Sequence, residues 1–285
     1  MNNNKKTRTD HFITLRGLRF HYVSWGDAHA PLLIALHGLR SYAETFDDLA
    51  HALPGHRVIS LDQRGRGRSD WDPAQHYDTL TYVADLEALV ATLGLKQFAL
   101  LGHSMGGANA IVYAARNPAH VERLIIEDMG PGASASSAGS ERIKQELANT
   151  PEAFSDWVAA RRFWRSIRPH VTEAAIDSRV TFSLKDNDQG RVVWRHDQQG
   201  IAAARLRIAP TDLWPHAEQI RCPILLLRGM NSDFLSEATA LQMAARLPRL
   251  QHHPVAGAGH YIHDDAPEEF ITTVRRFLEA DRSNA

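Results

Sequence analysis

The chain of 285 residues contains a single cysteine, Cys222. An internal disulfide and a cysteine-ligated metal cluster are thereby excluded, and a reducing cytoplasm is the simpler compartment. No apolar run approaches the roughly eighteen residues that a membrane-spanning helix needs. Nor is there an excess of charge of either sign. Lys and Arg number 32 against 33 Asp and Glu, a formal net charge of −1, so nothing in the overall field calls for nucleic acid or an anionic membrane as partner. Residues 1–10 are polar and charged and lack the apolar stretch of a signal peptide, so they read as a frayed tail. Internal repeats are absent.

What is present is an alternation of short apolar runs with amphipathic segments, the pattern of a mostly parallel sheet covered by helices. Eight runs read as strands: Phe12–Leu15, Leu18–Val23, Leu32–Leu36, Val58–Leu61, Phe98–Leu101, Leu124–Ile126, Ile224–Leu227 and a weaker Gln251–Val255. Thr81–Leu93, Met105–Arg116 and Glu268–Ala280 read as helices. The alternation lapses over residues 131–210, which show helical patterning without a convincing buried strand and open on a Gly, Ala and Ser linker. The expected organisation is a core of 11–130 and 211–285 interrupted by a helical cap over 131–210.

Gly102-His103-Ser104-Met105-Gly106 follows an apolar strand and precedes a helix. That is the context of a nucleophile elbow, Gly-x-Ser-x-Gly. A serine in so tight a turn needs small neighbours two residues away on either side. The helix N-terminus behind it presents free N–H groups to a developing oxyanion. The plainer alternative is a tight turn in a dinucleotide-binding domain.

With these residues the chain resembles the α/β-hydrolase superfamily, and the resemblance runs over nearly all of it. His37-Gly38-Leu39 resembles the family's oxyanion loop, and Asp62-Gln63-Arg64-Gly65-Arg66-Gly67-Arg68-Ser69 its turn after the next strand. Gly257-Ala258-Gly259-His260, followed by Pro267-Glu268-Glu269-Phe270, resembles its histidine loop and final helix. The resemblance implies an α/β-hydrolase fold with an eight-stranded sheet, and an oxyanion hole formed by the backbone N–H groups of Leu39 and Met105. His37, Gly38 and His103 are candidates for lining the substrate site, His37 chiefly by organising its loop. Asp62, Arg64 and Ser69 read as loop architecture.

Of sixteen histidines, His260 stands in a Gly-rich loop after the last expected strand, where it completes the order Ser, acid, His. The acid has two candidates. The family's commonest acid lies three residues beyond a glycine after the later strand; counted from Gly229 that place holds Ser232, and Asp233 falls one residue late. Glu127-Asp128-Met129-Gly130-Pro131 resembles the Asp-x-x-Pro ending of branches that take the acid from the earlier strand. Asp128 is preferred and Asp233 is the alternative, with Glu127 expected to point the other way.

The reaction expected is hydrolysis of a small carboxylic ester or lactone through an acyl-enzyme, with no metal or organic cofactor. Hydrolysis of a C–C bond or an amide in an anionic metabolite would use the same triad. A small-ligand receptor with negligible turnover is the competing class, against which intact Ser104 and His260 argue. The partner is a small-molecule substrate and the protein a monomer or homodimer. Arg161, Arg165 and Trp164 of the cap are candidates for holding a substrate carboxylate; the plainer reading buries the aromatics and leaves the arginines in water.

Overall fold

The computed structural model describes residues 7–280. Six strands come first: β1 (Arg8–Leu15), β2 (Leu18–Trp25), β3 (Leu32–Leu36), β4 (Arg57–Leu61), β5 (Phe98–His103) and β6 (Val121–Glu127). After an intervening segment come β10 (Ile224–Gly229) and β11 (Leu250–Val255). Together they form one eight-stranded sheet in the order β1-β2-β4-β3-β5-β6-β10-β11. β2 pairs antiparallel with both β1 and β4, and every other pairing is parallel.

The helices of this body are α1 (Asp47–Ala52), α2 (Thr79–Thr92), α3 (Met105–Arg116), α10 (Glu237–Arg246), α11 (Ile262–Asp265) and α12 (Pro267–Glu279). Helices on both faces demand strands that are apolar on both faces. Accordingly every residue of β5 and β10 is buried. The period of two divides the sheet between two cores. Ile34, Leu36, Leu100, Ile126 and Leu226 pack with α2 and α3. Leu33, Ala35, Leu101, Ile125 and Leu227 pack with Phe270 and Phe277 of α12. Cys222 sits partly buried just before β10, and burial pushes its thiol up to about 11.

Two expectations are corrected. β1 starts at Arg8, so residues 8–10, read as tail, are sheet, while residues 1–6 lie outside the described residues. The reason is that an edge strand is held by its main-chain ladder, here Arg8↔Trp25, Thr9↔Ser24 and Asp10↔Val23, and needs few apolar side chains. Strands also occur between β6 and β10: β7 (Ala153–Phe154), β8 (Leu184–Asp186) and β9 (Val192–Trp194) make a small antiparallel sheet. They are too short to show a period. A turn at Asn187–Gly190, in which Asn187 Oδ1 accepts from the N–H groups of Gln189 and Arg191, joins two of them.

The same segment carries α4 (Ala133–Ser136), α5 (Ala138–Asn149), α6 (Trp157–Ile167), α7 (Glu173–Ser183) and α8 (Gln198–Arg207), followed by α9 (Trp214–Ala217). Phe154, Trp164, Ile176, Leu184 and Trp194 give it an apolar cluster separate from those of the sheet. Among the described residues, no helix is long and apolar enough to cross a membrane.

Candidate active site

β5 ends at His103 and α3 begins at Met105, so Ser104 must turn the chain within one residue. It does so at φ 52° and ψ −118°, a conformation that side chains rarely adopt. The flanking glycines are compelled by close approach. A Cβ on Gly102 would lie 2.2 Å from the Gly106 carbonyl oxygen, and one on Gly106 would lie 2.1 Å from that of Leu36.

The turn aims Ser104 Oγ at His260 Nε2, 2.8 Å away. His260 Nδ1 lies 2.7 Å from Asp128 Oδ2. A carboxylate can only accept, so Nδ1 carries the proton and Nε2 keeps its lone pair for the serine hydroxyl. All three side chains are buried. Burial pushes the imidazole of His260 below the ordinary histidine value, and the nearby Arg168 and Arg142 push the same way. Burial raises the Asp128 carboxyl, opposed by hydrogen bonds from Ser232 Oγ at 2.5 Å and the Gly229 N–H at 3.3 Å and by the charge of Arg228.

The other acids are engaged elsewhere. Asp233 is gripped by Arg142, with Nε at 2.7 Å and Nη2 at 3.0 Å, and that hydrogen bonding holds its carboxyl below the usual range. Glu127 Oε1 accepts from the N–H of His263 at 2.9 Å and from its Nδ1 at 2.7 Å. His103 Nε2 donates to the His260 carbonyl at 2.9 Å, and its ring lies 5.0 Å from that of His260. His103, Glu127 and His263 bring ligand atoms within 4.8 Å of one another, as a metal site would. These bonds already use two of the residues on each other and tie the third to the histidine loop, so the grouping reads as a brace.

The loop after β3 is fixed atom by atom. His37 Nδ1 donates to the Gly38 carbonyl at 2.8 Å, and Nε2 accepts from the Gln63 N–H at 3.1 Å. The acceptor bond at Nε2 requires the neutral ring, and burial lowers His37 to about 4. Gln63 in turn donates to the His37 carbonyl at 2.7 Å. Arg66, fully buried, donates from Nε to the Leu39 carbonyl at 3.1 Å and lays Nη2 3.4 Å from Met105 Sδ. Gly38 lies where a Cβ would meet His103 Nδ1 at 2.7 Å.

Ser104, Leu39 and Met105 line a cavity of about 340 Å³ together with Ile201, Ala204 and Arg205 of α8. That volume is at the small end for a small-molecule site. Residues 31–267 match the family described as alpha/beta hydrolase fold. The chain belongs to that family.

This hydrolase is 30% identical over 260 residues to the sn-1-specific diacylglycerol lipase of Mus musculus, covering 89% of the chain and 82% of that protein. It is 27% identical to the 2-(acetamidomethylene)succinate hydrolase of Mesorhizobium japonicum, covering 88% of each. Among solved structures, E-2-(acetamidomethylene)succinate hydrolase superimposes with a TM-score of 0.86 at 25% identity, covering 96% of this chain and 100% of that one. An alpha/beta hydrolase from Novosphingobium aromaticivorans gives 0.82 at 32% identity, covering 95% and 98%.

Three cap candidates lie away from the cavity wall. Arg161 pairs with Asp177 and Glu173, and Arg165 with Glu173 and the Val171 carbonyl. Trp164 is buried, its Nε1 donating to Ser183 Oγ at 3.2 Å. Acids on the neighbouring α7 capture the arginines, a partnership that the sequence pattern of α6 alone does not display. Sequence reasoning missed Ser232 as a partner of the acid, Arg66 as a support of the loop, and Arg205 in the cavity. Ser232 carried a signal in its count from Gly229. Arg66 was visible only as a variable place in a turn motif, and Arg205 only as one basic residue of an exposed-looking helix.

Proposed function

We propose that this hydrolase cleaves a carboxylic ester or lactone of a small molecule through an acyl-enzyme formed on Ser104. The observation that carries the reading is the chain of hydrogen bonds from Ser104 Oγ through His260 to Asp128, at 2.8 and 2.7 Å, at the wall of the cavity. The relatives named as a lipase and a hydrolase support the same chemistry.

In this mechanism His260 Nε2 takes the hydroxyl proton as Ser104 Oγ attacks the carbonyl carbon. Asp128 holds the imidazole in the right tautomer and stabilises the imidazolium. The first N–H of α3, on Met105, has no partner within its helix, and with that of Leu39 it receives the oxyanion. The imidazolium then protonates the leaving alcohol. Water, deprotonated by the same nitrogen, resolves the acyl-enzyme. Residues 131–210 act as the cap, with Ile201, Ala204 and Arg205 lining the cavity.

An amide substrate is the second reading, and the likeness to 2-(acetamidomethylene)succinate hydrolase favours offering one. The test is turnover of p-nitrophenyl acetate and butyrate by wild type and Ser104→Ala. The reading expects turnover that the variant abolishes. A folded wild type that turns over neither esters nor acetamides, while binding a small ligand, would favour the receptor class instead.

A further inference from the structure

α8 places one arginine, Arg205, in the cavity wall with which no carboxylate among the described residues pairs. Among the described residues, Arg142, Arg161, Arg165 and Arg179 of the same segment each form an ion pair with an acid. Arg205 forms none. Among the described residues its hydrogen bonds both leave from Nη2, to the Ser134 carbonyl and Ser140 Oγ at 2.9 Å each. Its Nε is buried with no partner. Burial pushes its pKa down, with only the charge of Glu141 opposing, and Glu141 is itself held by Lys144 at 2.5 Å.

The other charged groups of the wall are committed. Asp78 accepts from the N–H and hydroxyl of Thr81 at the start of α2, and Asp212 accepts from the N–H of Trp214. Arg66 spends its Nε and Nη1 on the carbonyls of Leu39 and Arg64 and on Tyr82 Oη. A half-buried guanidinium with a buried, unpartnered Nε gains from an anion that reaches it, and a carboxylate matches its fork.

We propose that Arg205 binds a carboxylate of the substrate, so that the preferred ester is an anionic one whose carboxylate lies a few bonds from the scissile carbonyl. The two ends must fit together in a cavity of about 340 Å³ that Ser104 and Arg205 both line. The inference rests on the serine-hydrolase reading and adds the substrate class to it.

The test compares kcat/KM for p-nitrophenyl hemisuccinate and hemiglutarate, with the carboxylate on the acid part, and for 4-carboxyphenyl butyrate, with it on the alcohol. Neutral p-nitrophenyl butyrate is the reference. Wild type should favour at least one carboxylate ester by about ten- to a hundredfold, the weight of a charge-assisted hydrogen bond. Arg205→Met should collapse that ratio, and Arg205→Lys should keep part of it. Leu206→Ala, altering an exposed neighbour on the same helix, should leave it intact.

A ratio unchanged in Arg205→Met, or no preference in a wild type that hydrolyses the neutral ester, overturns the anion site and leaves the hydrolase reading standing. A second readout needs no turnover. Glutarate should bind Ser104→Ala by calorimetry and fail to bind the Ser104→Ala, Arg205→Met double variant. Equal binding to both, or binding to neither, also overturns the inference.

Discussion

Ser232 Oγ donates to Asp128 Oδ2 at 2.5 Å, and the same oxygen accepts from His260 Nδ1 at 2.7 Å. The two residues reach each other from the ends of β10 and β6, which are neighbours in the sheet. Ser232 stands three residues beyond Gly229, where the family's commonest acid resides. Here the carboxylate comes from the adjacent strand and the later position supplies a hydroxyl to it. The donor opposes the effect of burial on Asp128 and fixes which oxygen faces the histidine.

Substitution of the two aspartates should therefore give unequal results. Asp128→Asn should lower kcat by roughly 10²–10⁴-fold, because an amide in that place favours the wrong imidazole tautomer. Asp233→Asn should stay within about threefold, since it loses a partly exposed ion pair with Arg142. Ser232→Ala should fall between them, at about tenfold. Steady-state rates with p-nitrophenyl butyrate measure all three.

The pH profile follows from the surroundings of His260. The proposed mechanism needs its neutral ring, and burial with Arg168 and Arg142 lowers its pKa from 6.5. The ring thus stays neutral as pH falls below 6.5, and the acid limb of kcat/KM should have its midpoint below that value. A midpoint above it, in stopped assays from pH 4 to 9, would contradict the assignment of the base.

Arg66 contacts both Leu39 and Met105, the residues proposed to form the oxyanion hole. Arg66→Met should reduce kcat by roughly ten- to a hundredfold while KM moves by less than about threefold, the split of an interaction made in the transition state. Arg66→Lys should lie between, keeping the charge and losing the fork. The affinity of a boronic acid inhibitor should fall in parallel with kcat/KM.

The sequence made the sheet legible wherever strands are buried on both faces. β5 and β10 are continuous apolar runs closed by Gly-containing turns, so their ends, and the serine between Gly102 and Gly106, follow from pattern and sterics. The strands β7 to β9 escaped because two or three residues cannot display a period. The side chains that surround the triad were less legible. Arg161 and Arg205 look alike in sequence, and only the packing of α7 against α6 gives acids to one and leaves the other facing the cavity. That Asp233 is engaged by Arg142 while Asp128 meets His260 was likewise hidden, since Arg142 stands 91 positions from Asp233 in the chain.

The His263–Glu127 pair should show in stability rather than in rate. Glu127 and Asp264 raise the pKa of His263 above 6.5 against its burial. Its contribution is then fully present below pH 6.5 and is lost as pH rises through the raised folded value. Glu127→Gln should destabilise the protein by about 1–3 kcal/mol in acid, and the difference should shrink toward pH 9. Denaturant melts at pH 5.5 and 9 measure it.

Covalent labelling of Ser104 tests the central claim most directly. Intact-mass analysis after exposure to a fluorophosphonate should show one adduct per chain, mapped to Ser104, absent in Ser104→Ala and much slowed in His260→Ala. A folded protein that takes up no adduct, or one that labels equally well without Ser104, would contradict the account.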